Sequence, residues 1–167
     1  VFTQETGINC EVITGSSGKL TAQIKEGAPF DVFVSADMKY PEELFESKFT
    51  LDEPKIYAFG KLILLSMHED LHPTLEELKA ERIRHIAVAN PKTAPYGVAT
   101  MEVLTKYELQ NSLKDKFVFG ESVSQTNQFI LSKVAEVGFT AKSVVMSKNM
   151  RGKGNWQEID ENLYTPI

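Results

Sequence analysis

Along the whole chain, short apolar runs bounded by Gly, Pro or Asn alternate with segments of helical period, and that alternation predicts an α/β fold built on mostly parallel sheets. Ile8, Cys10 and Val12 alternate as a half-buried strand, while Asp31-Val32-Phe33-Val34-Ser35, Lys61-Leu62-Ile63-Leu64-Leu65-Ser66, Ile86-Ala87-Val88-Ala89 and Phe117-Val118-Phe119 read as further strands. Tyr57-Ala58-Phe59-Gly60 forms an apolar run of its own, with a glycine where the chain can cross between two lobes. Gly138-Phe139-Thr140-Ala141 and Ser143-Val144-Val145-Met146 give a last strand or strand pair, followed by a basic loop from Lys148 to Asn155. Helical spacing appears after Gly15-Ser16-Ser17-Gly18, at Pro41-Glu42-Glu43-Leu44-Phe45, after Pro95-Tyr96-Gly97 and from Val123 to Val134. Thr74-Leu75-Glu76-Glu77 carries a capping box with Pro73 ahead of it, and Val1 to Gly7 reads as the last turn of a helix closed by glycine.

Three of these helices begin with small, donor-rich residues: Gly15-Ser16-Ser17-Gly18, Pro95-Tyr96-Gly97 and Glu121-Ser122-Val123-Ser124. A helix leaves its first backbone N–H groups unpaired and carries roughly half a positive charge there, so such an end attracts anions without a cationic side chain. Each of the three follows a predicted strand, which is where open α/β sheets hold ligands. Taken singly, Ser17, Ser122 and Gly97 are ordinary helix caps. If the three converge across a cleft near Phe59 and Gly60, they form a cage for a small oxyanion.

Other classes of function find little support. A net charge of -5 argues against nucleic acid, whose phosphates require clustered Lys and Arg. No apolar run approaches the roughly 20 residues needed to span a bilayer. The single cysteine, Cys10, excludes an intrachain disulfide and reads as a buried thiol within its alternating run. His68, His72 and His85 lack metal-ligand spacing and read as surface or loop residues, and no GxSxG elbow or ordered triad suggests an enzyme. Lys19 and Lys92 read as solvated lysines close to the ligand loops, Glu121 as a first-turn helix acid, and Trp156 as a residue packed near the hinge.

The longer strings carry a resemblance. Gly15-Ser16-Ser17-Gly18-Lys19-Leu20 with Gly27-Ala28-Pro29-Phe30-Asp31-Val32-Phe33-Val34-Ser35-Ala36-Asp37 resembles the first lobe of the molybdate-binding proteins of ABC importers. Ala89-Asn90-Pro91 with Ala94-Pro95-Tyr96-Gly97, and Gly120-Glu121-Ser122-Val123-Ser124-Gln125-Thr126-Asn127, resemble the ligand loops of the same family's second lobe. The resemblance implies a type II periplasmic-binding-protein fold. Its first, incomplete lobe would cover residues 1–58, its second 59–163, and 164–167 would begin the return to the first lobe. It implies capture of molybdate or tungstate, with no further cofactor and no catalysis, and delivery to an ABC permease. The protein would be periplasmic, or extracellular and lipid-anchored, with no other membrane contact and no nucleic-acid partner.

By the same resemblance the ligand residues are Ser16, Ser17, Pro95, Tyr96, Ser122 and Val123. Ser17 would offer hydroxyl and amide, and Tyr96 and Val123 their backbone N–H groups. The family's first ligand loop would precede Val1, which implies a fragment with weaker or absent molybdate binding, and Ala141 stands where many members carry a tyrosine hydroxyl. Two alternatives share the fold: an anion-sensing domain of a transcription regulator, and a binding protein for sulfate or phosphate.

Overall fold

A computed structural model describes residues 2–167. Its centre is one five-stranded sheet of order β3-β2-β4-β1-β5, built from β1 (Leu62–Ser66), β2 (Ile86–Ala89), β3 (Phe117–Gly120), β4 (Val137–Ala141) and β5 (Asn155–Glu158). β2 pairs in parallel with β3 and β4, whereas β1 lies antiparallel to both β4 and β5. The sheet is therefore evenly mixed rather than mostly parallel. The difference arises at β1, which runs antiparallel to β4 and to the edge strand β5; β5 begins at Asn155, the last residue of the expected basic loop, and carries Trp156.

Two helices cover the two faces. α4 (Pro95–Lys106) packs on one and α6 (Val123–Leu131) on the other. Side chains alternate across a strand, so the continuous apolar run of β1 divides between two cores. Leu62 and Leu64 join Ile86, Val88, Val103, Leu104 and Phe139 on the α4 side, while Ile63 and Leu65 join Ala87, Ile130 and Val145 on the α6 side. Glu136 ties the sheet's ends together. Its carboxylate accepts the Arg84 and His85 amides at 3.0 and 2.7 Å, and its carbonyl accepts the Ser66 hydroxyl at 2.7 Å.

The part before β1 holds α1 (Phe2–Thr6), α2 (Ser17–Lys25) and α3 (Lys39–Glu46). α1 ends before Gly7, whose amide donates to Thr3 O, as the sequence suggested; Val1 lies outside the described residues. α2 and α3 pack together around Leu44, with a Lys25–Glu43 ion pair at their edge. Neither of the two runs expected as strands here is a strand, and the apolar run at 57–60 is not one either. Residues 8–12, 31–35 and 57–60 have irregular backbone, and Ile8, Val12, Val32, Val34, Tyr57 and Phe59 are exposed. A strand exists by pairing, and among the described residues none of these runs has a ladder partner. Cys10 shares that fate and is exposed rather than buried.

Two smaller expectations also change. Thr74 Oγ1 accepts the Glu77 amide at 3.2 Å, so the cap forms, but only one 3₁₀ turn follows it at Glu77–Lys79. Lys116 Nζ reaches the carbonyls of Leu78, Lys79 and Ala80 at 2.9 to 3.3 Å and terminates that turn. The second apolar run after β4 is the short helix α7 (Lys142–Met146), not a strand, because one buried residue, Val145, suffices to anchor it on the α6 side. One further short helix, α5 (Gln110–Leu113), joins α4 to β3.

Candidate oxyanion site

The three helix starts converge. The Gly18 amide, in the first turn of α2, donates to Thr93 O at 2.9 Å from the loop that precedes α4. Lys19 Nζ stands 3.8 Å from Glu121 Oε2, beside the start of α6. The second and third loops are joined in turn by Asn90, whose amide donates to Gly120 O at 2.8 Å. The first contact crosses between the part before β1 and the sheet-bearing part, so the two lobes meet at the site.

At α2, Ser16 occupies the N-cap with extended backbone (φ -71°, ψ 148°), yet its side chain makes no capping bond. Ser16 is 4% exposed, and its buried Oγ has no hydrogen-bond partner among the described residues. Burying a hydroxyl without a partner costs on the order of 1–3 kcal/mol, so the orphan is informative. Ser17 is also buried, but its Oγ already accepts the Ala36 amide at 3.2 Å. The Ser17 hydroxyl hydrogen is left to donate.

At α4, Ala94 is the N-cap and Pro95 the first helical residue, where its missing N–H costs nothing. The Asn90 carbonyl accepts the amides of both Thr93 and Ala94, at 3.1 and 2.9 Å, and fixes the turn. At α6, Ser122 Oγ accepts the Gln125 amide at 3.3 Å while Gln125 Oε1 accepts the Glu121 amide at 2.7 Å. Ser122 is thus a working helix cap, and the donors at this end are backbone groups. Among the described residues, the amides of Ser17, Tyr96, Val123 and Ser124 enter no backbone or side-chain hydrogen bond.

The two phenols nearby are uncharged and the Glu121 carboxylate is turned outward. Burial, with Tyr164 and Tyr57 adding to it, pushes the Tyr96 phenol up to about 12, and burial likewise raises Tyr40, with Asp37 and Glu43 contributing. Both phenols are neutral at pH 7. Burial also raises the Asp37 carboxyl, against the lowering bonds from the Tyr40 amide and Ser35 hydroxyl. Glu121 is exposed and occupied by Lys19. The arrangement presents donors without a free acceptor, the set that suits a fully deprotonated oxyanion. An adjoining cavity of about 560 Å³, lined by Tyr40, Tyr57, Phe59, Pro95, Val98 and Ile167, is apolar and far too wide to grip such an ion.

The Tyr96 phenol has a measurable consequence. Since the folded chain holds this proton more tightly than the unfolded chain, with its value of 10.0, the stability it supports is complete below pH 10 and is lost as pH rises through 12. About 2 kcal/mol is expected to disappear over that interval, by the relation of roughly 1.4 kcal/mol per unit. Denaturant melts from pH 9 to 12 should show the loss in the parent chain and a flatter profile in Tyr96→Phe; parallel profiles would refute the assignment.

The resemblance names Ser16, Ser17, Pro95, Tyr96, Ser122 and Val123 as ligand residues, and the fold brings the loops that carry them together. Sequence reasoning missed Thr93, whose buried Oγ1 is a second hydroxyl without a partner. A threonine in an Asn-Pro turn carries no signal of its own; only the contact across the lobes exposes it. His68, His72 and His85 form no cluster, and among the described residues no group of three or more His, Cys, Asp or Glu is placed to hold a metal ion. Trp156 lies on β5 with Lys142 Nζ 5.9 Å from its ring centre, away from the helix starts.

Three helix starts with free amides thus face one another where the two parts of the chain meet. The chain belongs to the bacterial extracellular solute-binding protein family, whose model matches residues 1–167. It is 37% identical to the molybdate-binding protein ModA of Rhodobacter capsulatus, covering all of this chain and 66% of that protein. It is 38% identical to ModA of Azotobacter vinelandii, covering 99% and 67%. The solved structure of the periplasmic molybdate-binding protein of Azotobacter vinelandii superposes with a TM-score of 0.93 over 99% of this chain and 74% of that one, at 37% identity. The chain spans about two thirds of the length of these curated relatives. No helix among the described residues is long and apolar enough to cross a membrane.

Proposed function

We propose that this chain captures molybdate or tungstate outside the cytoplasm and presents it to the permease of an ABC importer, without catalysing a reaction. The observation that carries the reading is the unpartnered donor set: the Ser16 hydroxyl together with the amides of Ser17, Tyr96 and Val123, gathered from three helix starts. Hydrogen bonds to an ionised oxygen are roughly twice as strong as neutral ones, and a buried site strengthens them further. The names of the relatives supply the particular anion, since two of them bind molybdate.

Phosphate fits less well. At neutral pH it keeps a proton that needs an acceptor, and the acid nearest the loops, Glu121, points outward to Lys19. A site with donors alone leaves that proton unpaired, which disfavours the ligand. Sulfate shares the charge and shape of molybdate and differs in size, so it is the competitor to measure. Isothermal titration of the 167-residue chain with molybdate, tungstate, sulfate and phosphate is the test. Molybdate and tungstate are expected to bind most tightly and phosphate least. Tighter binding of sulfate or phosphate would overturn the ligand, and binding of none of the four, the outcome the resemblance left open, would overturn capture by this chain.

A further inference from the structure

Gly18 and Thr93 approach each other closely across the lobes, and a side chain at position 18 would crowd the Thr93 carbonyl and displace the Tyr40 hydroxyl. A Cβ on Gly18 would lie 2.8 Å from Tyr40 Oη and 3.1 Å from Thr93 O. The glycine lets the first turn of α2 donate its amide to the opposite lobe at 2.9 Å. The nearby Lys19–Glu121 pair is well exposed on both sides and adds little, as surface ion pairs are worth about 0–1 kcal/mol. The directed contact between the lobes here is the Gly18–Thr93 bond. On either side of it lies a residue with a buried hydroxyl that lacks a partner: Ser16, two residues before Gly18, and Thr93 itself.

We infer that Thr93 is a further anion-binding residue, set in place by its own backbone: the carbonyl takes the Gly18 amide as the lobes meet, and the hydroxyl then donates to an oxygen of the bound anion. The inference rests on the oxyanion reading above. It accounts for the occupied Gly18 amide and gives the unpartnered Thr93 hydroxyl a role. The α2 amide that faces the other lobe is occupied by a carbonyl and so is withdrawn from the ligand. The same residue that occupies it supplies a hydroxyl donor in exchange. Thr93 also sits in the turn held by Asn90 and only three residues before the free Tyr96 amide, so its position is rigidly linked to a donor already assigned.

Two measurements on the 167-residue chain test this. The first needs no ligand. A first-turn helix amide is normally unprotected, so a cross-lobe bond predicts that the Gly18 amide exchanges with solvent at least about 100-fold more slowly than the Val123 amide at the start of α6. Equal exchange rates would overturn the positioning. The second is molybdate titration of Thr93→Val and Thr93→Ser. Thr93→Val keeps shape and carbonyl, and is expected to bind molybdate about 10-fold more weakly while leaving Gly18 protection unchanged; Thr93→Ser is expected to stay within about 2-fold of the parent, the difference being one charge-assisted hydrogen bond. Unchanged affinity in Thr93→Val would overturn the inference and leave the hydroxyl to a bound water. A parent chain that binds no molybdate would instead fell the oxyanion reading itself, a result that no Thr93 variant can mimic.

Discussion

Gly97→Ala is expected to lower the thermal midpoint by roughly 6–12 °C and to weaken molybdate binding with it. The added Cβ would stand 2.8 Å from Ala89 C and from Pro91 N, and closer still to Ala89 O. Those are backbone atoms, held by the Asn90 bond to Gly120 O, so no side chain can swing away to make room. α4 must move off the end of β2, and overpacking against rigid backbone costs about 3 kcal/mol or more. For a chain of this length each kcal/mol corresponds to roughly 2–4 °C. Because α4 carries the Tyr96 amide, the same displacement spoils the anion site. A melt within 2 °C of the parent would show that the approach of α4 to β2 is looser than described.

Ser16→Ala and Ser17→Ala should separate binding from folding. The Ser16 hydroxyl has no partner in the protein, so its removal is expected to leave stability unchanged or slightly raised while molybdate affinity falls about 10- to 100-fold, the value of a hydrogen bond to a charged group. The Ser17 hydroxyl accepts the Ala36 amide, so Ser17→Ala loses a similar binding term and also about 1 kcal/mol of stability. The double variant is expected to bind more weakly than either single one. Titration calorimetry beside thermal melts reads both quantities. Ser16→Ala with undiminished affinity would remove that hydroxyl from the site, and Ser17→Ala without loss of stability would remove the role given to its bond with Ala36.

Much of the second lobe was legible in the residues. Leu62–Leu65 and Ile86–Ala89 are apolar throughout because both faces of the sheet are covered, and the helices beginning at Pro95 and Val123 announced themselves by proline, serine and spacing. The first lobe was not legible in this way. Ile8, Cys10 and Val12, or Val32 and Val34, have the side-chain pattern of strands, but a strand depends on a partner distant in sequence, and residue pattern carries no information about whether that partner is paired to it. The same limit applies at α7 and β5, where short segments took the conformation that packing against β1 and α6 allowed.

The donor chemistry of the candidate site follows from local rules: which residues start helices, which amides a helix start leaves free, and how a serine or glycine sits there. Those rules act over a few residues and are written in the sequence. Whether three such starts face one another is a matter of tertiary structure, and so is the fate of each hydroxyl. Ser122 turned out to be a cap, Ser17 is shared with Ala36, and Ser16 and Thr93 were left without partners. Hydrogen-bond partners from distant segments decide which donors remain for an anion, and only the folded chain brings Thr93 within 2.9 Å of Gly18.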